Sequence, residues 1–193
     1  MSKRALAGGA LAVAAVLLFL GLFVALPRYA RKPNSPPAGT AAAAAAPAAP
    51  APPGRKIKAH LYYVTDDGMR LTSVERDVPF AEGAEQAREI IAAQIAPVAE
   101  PLVSAVPAGT KLRALFLTER GDAFVDLSRD AVSAHTGGTL NELLTVYTIV
   151  NALTVNLPAV RSVQILVDGQ EVQTLAGHVD LRQPLAKNQG LVQ

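Results

Sequence analysis

Three histidines and a regular series of aspartates are the side chains of this 193-residue chain that could support catalysis or bind a metal. The histidines are His60, His135 and His178, and no two of them have the spacing of metal ligands. We expect His60 to lie on the solvated side of a strand. His178 could pair with Asp180, two residues further on, although a structural turn is the simpler interpretation. The sequence therefore predicts no metal site.

Residues 135–139 (His-Thr-Gly-Gly-Thr) resemble a phosphate-binding loop that opens onto a helix N-terminus. The segment lacks the lysine of a Walker loop and the glycine spacing of a dinucleotide-binding loop. We therefore expect it to be the entry loop of a helix, with an anion site as the alternative.

Asp122, Asp126 and Asp130 occur at every fourth residue, which on a helix would place their carboxylates together. The apolar residues between them instead predict a strand that ends in a turn, with the carboxylates on its exposed side. No acid/base pair is indicated, and no serine lies in a Gly-x-Ser-x-Gly segment. The sequence predicts no catalytic residue, no cofactor site and no metal site.

A helix over residues 138–157 is the element against which the rest of the chain is expected to pack, because its apolar face is wide. Thr139 and Glu142 fit a capping box at its start, and Pro158 would end it. Asn151 lies within the apolar arc. We expect a buried amide bonded to a neighbouring strand there, with a ligand contact as the alternative.

Alternating apolar residues and turn signals predict three hairpins and a second helix. The Asp168-Gly169 pair is a strong signal for a tight hairpin turn. The order predicts an α+β fold with two ββα units plus a closing β-hairpin, one mostly antiparallel sheet, and two helices on one face. We expect the domain to span residues 55–184 and residues 185–193 to form a flexible tail. The predicted elements are strands 56–63 and 70–78, helix 84–95, strands 111–118 and 123–127, and strands 160–167 and 171–175.

The first 54 residues differ in composition from the rest. Residues 5–26 carry no charge and are long enough to span a bilayer, so we predict a transmembrane signal anchor after a short tail, residues 1–4. A cleaved signal peptide and a buried soluble helix are the alternatives. Residues 27–54 form a basic flank and a Pro/Ala-rich linker, which would be partly extended.

Charge and cysteine content exclude several functions. From residue 55 onward there are thirteen Lys/Arg and sixteen Asp/Glu, whereas the other five bases flank the apolar N-terminal segment. A slightly acidic domain argues against nucleic-acid binding. The absence of cysteine excludes a disulfide, a thiolate metal site and a lipid-modified cysteine.

Several sequence segments, in this order along the chain, resemble the GerMN domain of the GerM (sporulation and spore germination) family. The resemblance covers roughly residues 56–184. Its most specific parts are the Pro-x-Gly-Thr loop, the Val-Asp-Leu-Ser strand end and the final Val-Asp-Gly hairpin. The segments are Tyr62-Tyr63-Val64, residues 71–76, residues 102–112, residues 124–128, the helix 138–157 and residues 163–169.

The resemblance implies an extracytoplasmic, membrane-tethered domain of the bacterial envelope without known catalytic residues, similar in its best-understood members to ring-building motifs. This chain carries one copy where the founding type has a tandem pair, and it has no lipid-attachment cysteine. We expect its partners to be envelope proteins or a second copy, the membrane through the N-terminal helix, and no nucleic acid. Peptidoglycan should lie nearby.

Two other functions are retained as alternatives, a peptidoglycan- or glycan-binding module and an envelope hydrolase. Glycan sites present exposed aromatic rings, whereas the aromatic residues of this domain mostly fall at positions expected to be buried. A hydrolase would need a nucleophile or an acid pair that the sequence does not assemble. The aromatic residues concerned are Tyr62, Tyr63, Phe80, Phe116, Phe124 and Tyr147.

Overall fold

The structure is a computed structural model that describes residues 54–193. The predicted tail 1–4, the predicted anchor 5–26 and residues 27–53 of the predicted linker lie outside the described residues. Within residues 54–193, none of the helices combines the length and the apolar character that a membrane span requires.

The described part has an α+β fold with mainly antiparallel strands, as the sequence predicts, and with three helices where the sequence predicts two. Both long helices and the first two hairpins lie within a few residues of their predicted positions. The elements are β1 (Lys56–Val64), β2 (Leu71–Pro79), α1 (Gly83–Ile95), β3 (Leu112–Leu117), β4 (Asp122–Leu127), α2 (Asp130–Ser133), α3 (Thr139–Asn156), β5 (Ser162–Val167), β6 (Gln170–Glu171), β7 (Leu185–Ala186) and a 3-10 turn (Gln189–Leu191).

The strands form two sheets, so the prediction of a single sheet is wrong. β1 and β2 pair only with each other, while the second sheet has the order β3-β4-β5-β6, with β7 also paired to β5. The reason lies at the free edge of β1, where side-chain amides occupy the place of a third strand.

Two helix residues hold this edge of β1. The side-chain amide of Gln94, in α1, accepts from the backbone N–H of Tyr62 and donates to its carbonyl, both at 2.8 Å. Asn156, at the end of α3, does the same for His60, again at 2.8 Å. Each amide therefore satisfies one N–H and one C=O that a neighbouring strand would otherwise pair.

The second sheet also differs from the predicted hairpin order. β4 and β5 are parallel, because α3 crosses over between them. The predicted turn is present, since Asp168 and Gly169 both have positive φ angles of 51° and 76°. The returning strand, predicted over residues 171–175, is limited to the two residues of β6.

The hydrophobic core lies between the helices and the two sheets. α1 and α3 contact each other and both contact β1, while α1 also packs on β3 and α3 on β5. Ala87, Ile90 and Ile91, on the predicted apolar face of α1, are fully buried. Burying an aliphatic side chain of this size stabilises the fold by about 1.5–3 kcal/mol.

The predicted capping box at the start of α3 is wrong. Gly138 is the N-cap residue, with a φ of 88°, and no side chain caps the helix. The carboxylate of Glu142 instead accepts from the backbone N–H groups of Leu175, Ala176 and His178. A local capping contact is therefore replaced by a long-range one.

Residues 185–193 do not form the flexible tail that the sequence predicts. Leu185 pairs with Val163 through β7, and Val192 pairs with Leu71. The backbone N–H of Gln193 donates to the carbonyl of Leu71 at 3.0 Å. These backbone bonds hold the segment against both sheets.

Candidate binding groove

A groove of about 880 Å³ lies beside the turn end of the first hairpin. Its volume falls in the upper part of the range typical of ligand pockets, about 300–1,000 Å³. The lining is mostly apolar and comes from five parts of the chain. It consists of residues 95–98, 102–111 and 134–136, together with Val64, Gly68, Asn141, Leu144 and Thr145.

Hydrogen bonds fix the loop that forms one wall of the groove. The backbone N–H of Val64 donates to the carbonyl of Val103 at 2.8 Å, which continues the edge of β1. The hydroxyl of Thr145, in α3, lies 2.6 Å from the carbonyl oxygen of Ala105. The wall is thus attached both to the first sheet and to the long helix.

His135 lies at the polar end of the groove with both ring nitrogens engaged. The backbone N–H of Gly137 donates to its Nδ1 at 2.9 Å, and its Nε2 lies 3.1 Å from the hydroxyl of Thr145. With Nδ1 as acceptor, the neutral ring carries its proton on Nε2 and donates it to Thr145. This bonding supports the prediction of a helix-entry loop.

The groove offers apolar contact and one basic side chain, Lys111. Lys111 and His135 are the ionisable side chains among its described lining residues. Met69 and Val103, beside it, are 57% and 55% exposed, which is unusual for large apolar side chains in the described part. Sequence reasoning did not identify Met69 or Val103, because single apolar residues in loops carry no periodic signal.

The three periodic aspartates do not form one site. The carboxylate of Asp122 accepts from the hydroxyl of Ser162 at 2.5 Å, and that of Asp130 accepts from Ser128 at 2.8 Å. The prediction that Asp126 is exposed is wrong. It is buried, and it accepts from the backbone N–H of Gly169 at 2.7 Å, which stabilises the tight turn.

His178 and Asp180 have different partners. The side chain of His178 lies 3.2 Å from Glu142, while Asp180 accepts from the guanidinium of Arg182 at 2.7 and 2.9 Å. Hydrogen bonds from Arg182 lower the pKa of Asp180 to about 2. His60 is exposed, as predicted, and its Nδ1 lies 3.1 Å from the hydroxyl of Ser73.

Glu142 is fully buried and accepts three backbone N–H bonds, from Leu175, Ala176 and His178, at 2.7, 3.0 and 2.8 Å. Burial alone would raise the pKa of this carboxyl, but the backbone hydrogen bonds outweigh burial, so the pKa is lowered. The residue therefore stays ionised and acts as a structural anion. Neither of its carboxylate oxygens lines the groove.

Asn151 also makes structural contacts. Its side-chain amide donates to the carbonyl of Asn188 and accepts from the N–H of the same residue, both at 3.0 Å. This is the predicted buried amide, although its partner follows β7 and does not lie within a strand. Among the described residues, no cluster of acidic and histidine side chains is arranged to hold a metal ion.

The aromatic residues are mostly covered, with one clear exception. Tyr62 and Tyr63 are buried. Phe116 is 59% exposed on β3, opposite Phe124 on β4, and is an exception to the expectation that the aromatic residues are mostly buried. Phe116 lies on the face of the second sheet that points away from the helices.

The chain was also compared with known proteins. Residues 60–173 match the family model described as Germane, sporulation and spore germination. The chain belongs to this family. The resemblance found in the sequence is thereby confirmed, and the Germane match covers β1 to the start of the segment that follows β6.

Solved structures share the Germane fold. A candidate lipoprotein from Clostridium perfringens is 24% identical, with a TM-score of 0.51, over 69% of this chain and 89% of that chain. The tandem GerMN domains of the sporulation protein GerM from Bacillus subtilis are 16% identical, with a TM-score of 0.53, over 68% of this chain and 46% of that chain. No curated protein matches the chain.

Proposed function

We propose that this Germane-family protein is a non-enzymatic, membrane-anchored module that binds other proteins during assembly in the bacterial envelope. The family description supports a role in sporulation, in spore germination or in the cell-wall processes that accompany them. Similarity to a candidate lipoprotein supports an extracytoplasmic location. The apolar residues 5–26 would supply the anchor, and the Pro/Ala-rich residues that follow would hold the domain away from the bilayer.

The groove is the observation that carries this proposal. Exposed apolar area that surrounds a concave surface is typical of a site that another protein covers. Met69 and Val103 are more than half exposed beside it. The wall at Val103 and Ala105 is fixed by one backbone hydrogen bond and by the hydroxyl of Thr145. A fixed apolar groove is suited to receive a chain segment without large rearrangement of the domain.

The expected occupant is an apolar segment of an envelope protein. Lys111 favours a segment that carries a carboxylate, because the described lining residues include no acidic side chain. A second copy of this chain is the competing occupant. The two outcomes are distinguishable by the mass of the cross-linked product.

The test uses the absence of cysteine from the chain. Val103→Cys introduces a single thiol beside the groove, and a benzophenone attached to it is activated by light in intact cells. Glu119→Cys, in the exposed β3–β4 turn, is the matched control. We expect a discrete product from the Val103 variant and none from the Glu119 variant. Recovery of uncross-linked monomer alone from both variants would contradict the proposal.

A further inference from the structure

We propose that the outer edge of β2, at residues 73–77, is a slot that accepts an extended segment of a partner protein with a basic side chain opposite Glu75. The inference rests on the proposed function, since it gives the protein-binding domain a second contact of defined chemistry. It is carried by the hydrogen-bonding directions of the first hairpin and by the charges along β2.

The direction of each backbone group follows from its partner. His60, Tyr62 and Val64 use their backbone groups to bind Asn156, Gln94 and Val103, so these groups point away from β2. In an antiparallel pair, the residues opposite them also point outward. Those residues are Glu75, Ser73 and Leu71. Because backbone directions alternate along a strand, the backbone groups of Asp77 and Pro79 also point outward.

Both ends of this outward row are already occupied. The carbonyl of Leu71 accepts from the N–H of Gln193, and Val192 forms an isolated parallel bridge with Leu71. At the other end, Pro79 has no N–H, and its carbonyl accepts from the side chain of Gln86 at 3.1 Å. Between these ends, the outward groups of Ser73, Glu75 and Asp77 have no hydrogen-bond partner among the described residues.

The edges of β1, β3 and β5 carry contacts that an added strand would have to displace. The edge of β1 is held by the amides of Gln94 and Asn156. On β3, the guanidinium of Arg88 donates to the carbonyl of Leu115 at 2.9 Å. The outer edge of β5 pairs with β6 and β7. Among the described residues, no contact of this kind occupies the outward groups of Ser73, Glu75 and Asp77, so strand addition there would need no displacement. Val192 already forms a parallel bridge on the same edge.

Charge selects the partner. Asp77 is neutralised by Lys58 at 2.6 Å, whereas Glu75 has no basic partner within 4.0 Å among the described residues. A lysine or arginine on an added strand would lie beside Glu75. A second copy paired antiparallel about residues 75–77 would place like charges opposite each other, which disfavours self-association through this edge.

The experiment uses the full chain in detergent micelles and two fluorescein-labelled synthetic peptides. One peptide, seven residues long, alternates valine with lysine, and the other has glutamate in place of each lysine. Binding is measured by fluorescence anisotropy at low salt. We expect saturable binding of the lysine peptide and at least severalfold weaker binding of the glutamate peptide.

Two substitutions at Glu75 then test the charge and the backbone separately. Glu75→Lys should reverse the preference between the peptides. Glu75→Pro removes the outward N–H without removing a bond between β1 and β2, so it should abolish binding of both peptides. Glu119→Lys, at an exposed turn away from β2, is the control and should leave the preference unchanged.

The inference is overturned if the lysine peptide does not saturate, if Glu75→Lys leaves the preference as it was, or if Glu119→Lys changes it equally. Far-ultraviolet circular dichroism of each variant shows whether the domain is folded, and Glu75→Gln replaces any variant that is not. A cross-link from Val103 in cells without peptide binding would reject the β2 slot alone. Peptide binding without that cross-link would reject the groove alone.

Discussion

The two sheets keep their strands in place by different means. In the second sheet, β4 is paired on both sides by other strands, and backbone groups satisfy each other. In the first sheet, β1 has a strand on one side only, and on the other side the amides of Gln94 and Asn156 take the place of backbone groups. A single side-chain truncation can therefore disturb the first sheet, whereas the second should tolerate comparable changes.

The largest effect is expected from Gln94→Ala. This side chain is fully buried, and its removal leaves both backbone groups of Tyr62 without a partner. We expect the free energy of unfolding to fall by about 4 kcal/mol, because each buried unpaired group costs about 1–3 kcal/mol. Urea denaturation measures this loss. The matched control is Gln170→Ala, exposed on β6 of the second sheet, and an equal loss there would contradict the comparison.

The second sheet also depends on one side chain, because Glu142 holds the segment that follows β6. Glu142→Gln removes the negative charge that three backbone N–H groups surround, and it should cost about 2–3 kcal/mol. Denaturation at pH 7 provides the measurement. Glu171→Gln, exposed on β6, is the control and should be nearly neutral.

The stability difference between the wild type and Glu142→Gln should depend on pH. The pKa of Glu142 is lowered in the folded protein because backbone hydrogen bonds outweigh burial. Its contribution is therefore complete above the ordinary glutamate value of about 4.3 and is lost as the pH falls through the lower folded value. The stability difference between the wild type and Glu142→Gln should shrink from pH 5 downward. A constant difference between pH 7 and pH 3 would exclude a charged Glu142.

A smaller effect is expected from Asn156→Ala. This amide makes the same pair of bonds as Gln94, but its partner His60 lies at an exposed position where water can replace the amide. We expect a loss of about 1 kcal/mol. Hydrogen exchange should be faster at the His60 amide than in the wild type, while amides of β4 remain protected. Loss of protection in both sheets would show that they unfold together.

The smallest effect is expected from Phe116→Ser on the second sheet. Phe116 is 59% exposed and contributes its backbone, not its side chain, to the pairing of β3 with β4. Exposed substitutions of this kind change stability by about 0.5 kcal/mol or less. A thermal melt that drops by more than a few degrees would show that the exposed ring is structurally important.

The sequence predicts local structure well where neighbouring residues determine it. The alternation of Ile57, Ala59 and Leu61 identifies β1, and Asp168-Gly169 identifies the tight turn with both φ angles positive. The division into two sheets was not predictable in this way. It depends on Gln94 meeting Tyr62, 32 residues earlier in the chain, and periodicity contains no information about which buried amide meets which backbone.

The same limit applies to the candidate groove and to Glu142. Glu142 has the spacing of a local capping residue, but its carboxylate reaches backbone groups more than 30 residues away. The wall of the groove depends on the contact between Thr145 and Ala105, which also links distant segments. The sequence predicts the helix-entry loop at His135, but it does not predict the exposed apolar residues Met69 and Val103 beside the groove.

The junction of Arg55 and Phe80 has a mechanical consequence. The guanidinium of Arg55 stacks on the ring of Phe80 at 3.7 Å, and the backbone N–H of Phe80 donates to the carbonyl of Arg55. The chain therefore enters the hairpin at its open end. A pull on the residues before Lys56 acts along the length of β1. If the opposing force is applied through a partner bound to β2, the rungs of the ladder are sheared together instead of being opened one by one. A partner held at the proposed β2 slot would therefore load the first hairpin in shear.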